Sequence, residues 1–209
     1  MTVTTARPTQ PSRATTPSAP VAAAVGALAV AGTLGAMLGP DLTVNRLGMD
    51  MTMGMTHYME LLATNQPVNL LLFMGVPVVI AETLAISEIA LLFTRQPAWV
   101  RSLNRLAGLL AGPVMLAILT HLLLHAVVPL TASGGWRGPA DVLAVGFYLA
   151  GAVPFVGITL VELGLLGRTE RDANRMRATG IAVFLVVAHV AMIFGMMDPA
   201  VLGYVMAHH

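Results

Sequence analysis

The 209-residue chain is 56% hydrophobic and only 10% charged, and a water-soluble domain needs a larger share of charged residues on its surface. Eleven basic residues, all arginines, nearly balance ten acidic residues and leave a net charge of +1, so the charge gives no reason to expect a nucleic-acid partner. The chain has no cysteine, which excludes disulfides, thiolate metal sites and thiol catalysis. The composition predicts an integral membrane protein whose contacts are mainly with the lipid bilayer.

The N-terminal part of the chain changes character near residue 21. Residues 1–20 are rich in Thr, Pro, Ser and Ala and have little to bury, so we expect a disordered tail. Residues 21–39 are uncharged, built mainly of Ala, Gly, Val and Leu, and just long enough to span a bilayer. This run is either a retained helix, which we favour, or the hydrophobic region of a cleaved secretory signal peptide.

Four further apolar runs reach the length of a membrane-spanning helix. They cover residues 69–93, 106–130, 142–166 and 179–205, and the last run is interrupted near Asp198-Pro199. Pro77, Pro113 and Pro154 lie inside three of them, where a membrane helix tolerates a kink if neighbouring groups bind the freed carbonyl. The sequence therefore predicts an all-α fold, with a single transmembrane domain over residues 21–209 that contains about five spans.

Arginine is distributed unevenly among the segments that connect these runs. Nine of the eleven fall in alternate segments, and only Arg46 and Arg137 fall in the others. Because short cytoplasmic loops retain arginine, we expect the N-terminus inside the cell and the C-terminus outside. The segment 40–67, the loop around Trp136 and the C-terminal tail then share the extracytoplasmic face of the cell membrane.

A methionine-rich segment lies in the predicted extracytoplasmic loop. Its sulfur and imidazole groups occupy every second position, at Met49, Met51, Met53, Met55, His57 and Met59. In an extended chain these side chains project from one side, and thioether and imidazole groups can bind a soft ion such as Cu(I), whereas Glu60 suits a harder cation. The alternative is a flexible apolar segment that lies along the membrane interface.

The third and fifth runs carry further groups able to bind a metal. His121 and His125 stand one helical turn apart on one face, and His189, Met192 and Met196 form a stripe with spacings of three and four. All of these can instead hydrogen-bond to or pack against neighbouring helices. The element Met192-Ile-Phe-Gly-Met196 resembles the Met-x-x-x-Met element of eukaryotic-type copper transporters, and that resemblance implies contact of these thioethers with copper.

Glu82 lies near the middle of the second run, where a carboxylate is costly and indicates a functional group. Glu82, His121 and His189 fall at comparable depths on three helices, so we expect them to converge. Glu88 and Glu162 lie near the arginine-rich ends, and we interpret both mainly as partners for those charges.

Two longer stretches, HYMELLATNQPVNLLLFMGVPVVIAETLAISE and VVAHVAMIFGMMDP, resemble those of small multi-pass bacterial membrane proteins that are classed as uncharacterised or as permeases. The resemblance extends over residues 49–200 and implies transport. The chain has no lysine and no glycine-rich phosphate loop, so we expect no nucleotide partner, and any transport is secondary or passive. The Gly- and Ala-rich first helix suits close packing in a homo-oligomer or a larger membrane complex.

Three functions are compatible with these residues. The first is a permease or metal-binding protein that handles a transition metal, above all copper, without catalysis. The second is an oxidoreductase subunit in which His121 or His125 pairs with His189 as axial ligands of a haem b, and Glu82 handles protons. The third is a structural or assembly subunit whose polar residues only join helices.

Overall fold

The computed structural model describes residues 18–45, 54–93 and 98–204, and the regular structure in these ranges is helical. Five helical segments there are long and apolar enough to cross a membrane. We number them span 1 (Ala19–Leu38), span 2 (Val68–Leu91), span 3 (Ala98–Ser133), span 4 (Gly138–Glu162) and span 5 (Glu170–Gly195). The predicted all-α bundle of about five spans is confirmed, and the chain is a multi-pass membrane protein.

Three of the spans are locally irregular. Span 2 comprises Val68–Leu70, a wider π turn at Leu71–Gly75 and most of the helix Val76–Phe93. Span 3 joins the helices Ala98–Leu122 and Val128–Ser133 through a second π turn, Leu123–Val127. Span 4 consists of two helices, Gly138–Ala150 and Ala152–Glu162. A short helix, His57–Ala63, precedes span 2, and a 3₁₀ turn, Pro199–Leu202, follows span 5. Both π turns lie shortly before a proline, where the helix must widen to accommodate the ring.

The helix ends differ from the boundaries of the apolar runs. Span 3 begins at Ala98 and span 5 at Glu170, because the helices continue through arginine-rich turns that a hydropathy pattern assigns to loops. Span 5 ends at Gly195 rather than near residue 205. Asp198 there caps the separate 3₁₀ turn by accepting a hydrogen bond from the backbone N–H of Ala200, and Pro199 does not continue a helix.

Span 3 packs against spans 1, 2 and 4, and span 5 packs against span 4 and, less extensively, span 2. Gly108 and Gly112 of span 3 let span 4 approach closely. The Thr159 hydroxyl donates to the Gly108 carbonyl at 2.6 Å and accepts from the Gly112 N–H at 2.8 Å. A Cβ atom on Gly112 would lie 2.7 Å from the Thr159 hydroxyl oxygen, so a larger residue would push the spans apart.

The antiparallel spans give the bundle two ends with different side chains. The Asp141 end holds the ends of spans 1, 3 and 5, the starts of spans 2 and 4, and the helix His57–Ala63. The Arg177 end holds the opposite termini. Among the described arginines, Arg137 lies at the Asp141 end, and the Arg177 end carries Arg101, Arg105, Arg168, Arg171, Arg175 and Arg177. The uneven arginine distribution in the sequence therefore corresponds to a difference between the two ends of the bundle.

Candidate functional site

Asp141 is a fully buried carboxylate in the first turn of span 4. Its Oδ1 accepts a hydrogen bond from the backbone N–H of His57 at 2.6 Å, and its Oδ2 accepts one from the backbone N–H of Arg137 at 3.1 Å. The Nδ1 atom of His57 lies 2.5 Å from the same Oδ2, so Nδ1 carries the proton in this pair. Asp141 thus orients both the imidazole of His57 and the start of the helix His57–Ala63.

Thr56 and Arg137 hold the same short helix from two further sides. The Thr56 hydroxyl donates to the Gly195 carbonyl at the end of span 5, at 2.6 Å. The Arg137 guanidinium contacts the Glu60 carboxylate at 2.6 Å and donates to the Met55 carbonyl at 2.7 Å. The helix is therefore joined to spans 4 and 5 by a network of charged and neutral hydrogen bonds.

His125 has a carboxylate beside its ring, as His57 does. Its Nδ1 atom lies 3.7 Å from Oδ2 of Asp41, in the segment that follows span 1. Its Nε2 atom is buried and has no hydrogen-bond partner among the described residues. A buried polar atom without a partner is uncommon in native structures and calls for an explanation.

His57 and His125 line one cavity of about 200 Å³, which we name the Asp141-end cavity. Its other polar lining residues are Thr43, Tyr58, Glu60, Arg137 and Tyr148. Burial raises the pKa of Tyr58 to about 12, so its phenol keeps its proton at neutral pH and remains a hydrogen-bond donor. The cavity thus combines two imidazoles, an ion pair and neutral hydroxyl groups.

Three carbonyls near this cavity lie four residues before a proline, which has no N–H to give them. The Ala36 carbonyl precedes Pro40 and lies 3.3 Å from Nδ1 of His121. The Phe73 carbonyl precedes Pro77 and accepts from the Tyr148 hydroxyl. The His125 carbonyl precedes Pro129 and lies 3.4 Å from the Thr43 hydroxyl oxygen, which donates its proton to the closer Oδ1 atom of Asp41, at 2.6 Å. Side chains from other segments therefore satisfy two of these carbonyls, those of Ala36 and Phe73, which prolines leave free.

His121 is buried, and the backbone around the end of span 1 occupies both of its ring nitrogens. Its Nε2 accepts from the Leu42 N–H at 3.3 Å, so Nδ1 is the protonated nitrogen that donates to Ala36. The His121 ring also packs against the His125 ring, with centroids 4.5 Å apart. Metal or haem ligation by His121 would require the loss of one of these hydrogen bonds.

The expected convergence of Glu82, His121 and His189 is not found. Glu82 and His189 are exposed on the outside of the bundle, whereas His121 is buried. Within residues 18–45, 54–93 and 98–204, no three His, Asp or Glu side chains form a group that could hold a metal ion. The expectation was wrong because counting residues along a helix gives the depth of a side chain but not the direction in which it points.

The methionines that the sequence predicts as metal ligands divide into four groups. Met49, Met51 and Met53 lie outside the described residues. Met55 is half-buried, and its carbonyl accepts from Arg137. Met192 is exposed on span 5, and Met196 is exposed directly after it. Met59 lies in the helix His57–Ala63 and packs against the buried core. From His57 onwards, side chains at every second position do not share one side of the chain, because the chain is helical there and not extended.

The Arg177 end contains a second polar cluster. The Arg177 guanidinium contacts Glu88 at 3.2 Å and Glu162 at 2.7 Å. Asn104 donates to Glu88 at 3.3 Å and to the Ser87 hydroxyl at 2.7 Å. The interpretation of Glu88 and Glu162 as partners for arginine is confirmed, and the cluster joins spans 2, 3, 4 and 5.

Sequence reasoning missed Asp141, Asp41 and the role of Arg137. A signal for Asp141 was present, because it follows Gly138-Pro139 in the first turn of an apolar helix, where a carboxylate accepts free backbone N–H groups. No local signal indicated Asp41, whose contact with His125 joins distant parts of the chain.

Comparison with curated proteins and with solved structures gives no match. Residues 53–209 match a family model described as a family of unknown function, DUF6803. The matched region covers more than half of the chain and includes His57, Glu60, His125, Arg137 and Asp141. The chain therefore belongs to this family of unknown function, DUF6803.

Proposed function

We propose that this membrane protein binds a transition metal ion, copper as Cu(I), in the Asp141-end cavity, as part of a permease or metal-handling role. The observation that carries the proposal is that His57 and His125 line the same cavity and that the Nδ1 atom of His57 lies 2.5 Å from Asp141. The Nδ1 atom of His125 lies 3.7 Å from Asp41, close enough for an ion pair but beyond hydrogen-bond distance. Metal-binding histidines characteristically donate their other ring N–H to a carboxylate or carbonyl, which orients the ring and makes it a stronger ligand.

The two histidines supply the ligand nitrogens. Because Nδ1 of His57 faces Asp141 at 2.5 Å, Nε2 is the atom left to bind a metal. In His125 the corresponding Nε2 atom is the buried one without a described hydrogen-bond partner, and a metal ion would satisfy it. Two imidazoles suit copper and zinc alike, so the remaining ligands must decide between these ions.

The methionine-rich segment favours Cu(I). Arg137, which lines the cavity, donates to the Met55 carbonyl at 2.7 Å, and Met49, Met51 and Met53 precede Met55 in the sequence. Thioethers are soft ligands that select Cu(I) over harder cations. Glu60 is already paired with Arg137 at 2.6 Å, which reduces the attraction of the cavity for a hard ion.

The haem alternative has less support. It needs His189 together with His121 or His125, but His189 is exposed and its Nδ1 atom lies 2.6 Å from the Leu185 carbonyl. His121 has both nitrogens bound to backbone groups. The structural-subunit alternative predicts no specific metal affinity, so a binding measurement separates it from our proposal.

The double variant His57→Gln/His125→Gln tests the copper proposal. Removing both imidazoles should weaken Cu(I) binding at least as much as the loss of an outer-shell partner, which typically weakens metal binding roughly 10- to 100-fold. The measurement is competition with a chromogenic Cu(I) chelator, on purified protein in detergent under reducing conditions.

A single variant, His189→Gln, is the matched control, because it also removes a histidine but one outside the cavity, and it should bind Cu(I) as the unmodified protein does. Joint replacement of Met49, Met51, Met53 and Met55 by Leu should also weaken binding. Equal affinity in the unmodified protein and in the double-histidine variant would refute the proposal.

We also propose that the Asp141 end faces the outside of the cell, on the basis of the arginines at the Arg177 end. A reporter enzyme that is active only outside the cytoplasm should be active when fused after His209 and inactive when fused after Arg168. Both fusions must be produced at similar levels, which immunoblotting checks. The reverse pattern of activity would place the cavity in the cytoplasm.

A further inference from the structure

Span 2 presents one continuous stripe of exposed residues to the outside of the bundle. The stripe has helical spacing and consists of Leu72, Val76, Val79, Glu82, Ile86 and Ile89. Glu82 is its only charged member and lies near the middle of the span. In a bilayer this surface faces hydrocarbon, where a charged residue without a partner is costly.

Span 5 carries a similar stripe, in which Ala182, Val186 and Ile193 flank His189. The Nδ1 atom of His189 lies 2.6 Å from the Leu185 carbonyl of its own helix, so Nδ1 is the donor to that carbonyl. The Nε2 atom of the neutral ring is then a hydrogen-bond acceptor. Lipid tails have no donor to offer it.

The two stripes belong to one face of the bundle. Spans 2 and 5 are neighbours, since Val78 and Ala188 line the same small cavity between them and Glu88 contacts Arg177 at 3.2 Å. With 3.6 residues per turn, Glu82 is rotated about 40° from Val78, and His189 is rotated about 100° from Ala188. The side chains of Glu82 and His189 are both exposed. They therefore point away from the contact between spans 2 and 5, on the outer surface that the two spans share.

The depths of the two groups are compatible with contact between copies. The Glu88–Arg177 contact gives a common starting level on spans 2 and 5. From this level towards the Asp141 end, Glu82 lies six residues away, about 9 Å, and His189 lies twelve residues away, about 18 Å. Side chains on a helix lean towards its N-terminus. Because spans 2 and 5 are antiparallel, Glu82 leans towards the Asp141 end and His189 leans towards the Arg177 end, so their depths approach each other.

We propose that the face formed by spans 2 and 5 is a homodimer interface, in which Glu82 of each copy shares a proton with His189 of the partner subunit. A face with one acid and one base is self-complementary, because a two-fold rotation brings each group opposite its counterpart in the other copy. Glu82 and His189 of each copy then gain a partner, with no need for another protein.

Cysteine crosslinking tests the pairing directly, because the chain contains no cysteine. Two differently tagged variants, Glu82→Cys and His189→Cys, are co-expressed and treated in native membranes with a bifunctional maleimide shorter than a helix diameter. We expect crosslinked dimers that carry both tags. The control replaces His189→Cys with Val153→Cys, which is 76% exposed on span 4 and should give several-fold less product. Equal crosslinking in both combinations, or none in either, would overturn the proposal.

A swap of the two residues tests the interaction with the rest of the interface unchanged. Either Glu82→His or His189→Glu alone places like groups opposite each other in both symmetric pairs. One interhelical hydrogen bond in membranes corresponds to roughly three- to tenfold in affinity, so the loss of two should weaken dimerisation in lipid about ten- to hundredfold. The double variant Glu82→His/His189→Glu restores one acid and one base per pair and should recover the dimer. A double variant no better than the single ones would contradict the pairing. Copper binding is not needed in either experiment, so the result does not depend on the proposed function.

Discussion

Replacement of Asp141 by Leu is expected to lower the free energy of unfolding by about 3–5 kcal/mol, the usual effect of removing one partner from a buried charged network. The change leaves the backbone N–H groups of His57 and Arg137 without an acceptor, and an unpaired buried donor loses its full hydration. We also expect loss of the metal site, because the His57 ring is no longer oriented. Chemical unfolding in mixed detergent micelles measures the first effect, and Cu(I) competition measures the second.

Asp141→Asn is the sharper variant, because it conserves shape. Oδ1 accepts from one backbone N–H, and Oδ2 receives both the imidazole N–H of His57 and the backbone N–H of Arg137. The side-chain amide of Asn has an NH₂ group in place of one of the two carboxylate oxygens. That NH₂ group, a donor, then faces an N–H group of His57 or Arg137, which is also a donor. We therefore expect Asp141→Asn to be destabilised by more than the control Asp172→Asn. Asp172 is exposed in the first turn of span 5, and an amide oxygen there can still accept from the Thr169 hydroxyl, so only the favourable charge at the helix start is lost, about 0.3–1 kcal/mol. Equal stability of the two variants would contradict the role of Asp141.

The second large effect is expected at the opposite end of the bundle, with Arg177→Met. This variant keeps the aliphatic stem but leaves Glu88 and Glu162 without their shared guanidinium, and it should lose about 3–5 kcal/mol of stability. Arg175→Met is the matched control, since Arg175 is exposed two residues earlier on the same helix. It should be nearly neutral.

A compensating variant distinguishes charge from packing at this cluster. Arg177→Met combined with Glu88→Gln and Glu162→Gln removes all three charges, and replacing a whole buried ionic group by neutral residues is often close to neutral. We expect it to recover most of the stability lost in Arg177→Met, as followed by the same unfolding titration. If the triple variant is as unstable as Arg177→Met, the loss reflects packing of the arginine stem rather than unpaired charge.

The five spans could be predicted from sequence because the bilayer imposes a length that few other structures need. Glu88 and Glu162 could be assigned to arginine because all three lie close to one end of the bundle. Glu82 shows where this reasoning fails. Apolar residues surround the helix of span 2 on nearly every side, so no polar face indicates which side of the helix points into the bundle. That Glu82 lies on the exposed side follows only from how the spans pack.

His121 illustrates a second limit. Its spacing from His125 correctly places both imidazoles on one helix, but the partners of His121 are backbone groups near Pro40, in a segment 79–85 residues earlier. Pro40 leaves the Ala36 carbonyl free, and only the fold brings a donor to it. Contacts between distant segments of this kind have no local pattern in the sequence, which is also why Asp41 was missed.

Residues that contact each other at the Asp141 end lie far apart in the sequence, and this separation affects how the protein is synthesised. Thr56 binds Gly195, 139 residues later, and His57 binds Asp141, 84 residues later. As the chain emerges from the ribosome, the segment before span 2 must remain without these partners until spans 4 and 5 have entered the membrane. Contacts that join such distant residues form slowly. The cavity is therefore completed only when the last span is in place, and a chain truncated before span 5 would expose an unfinished polar surface at that end of the bundle.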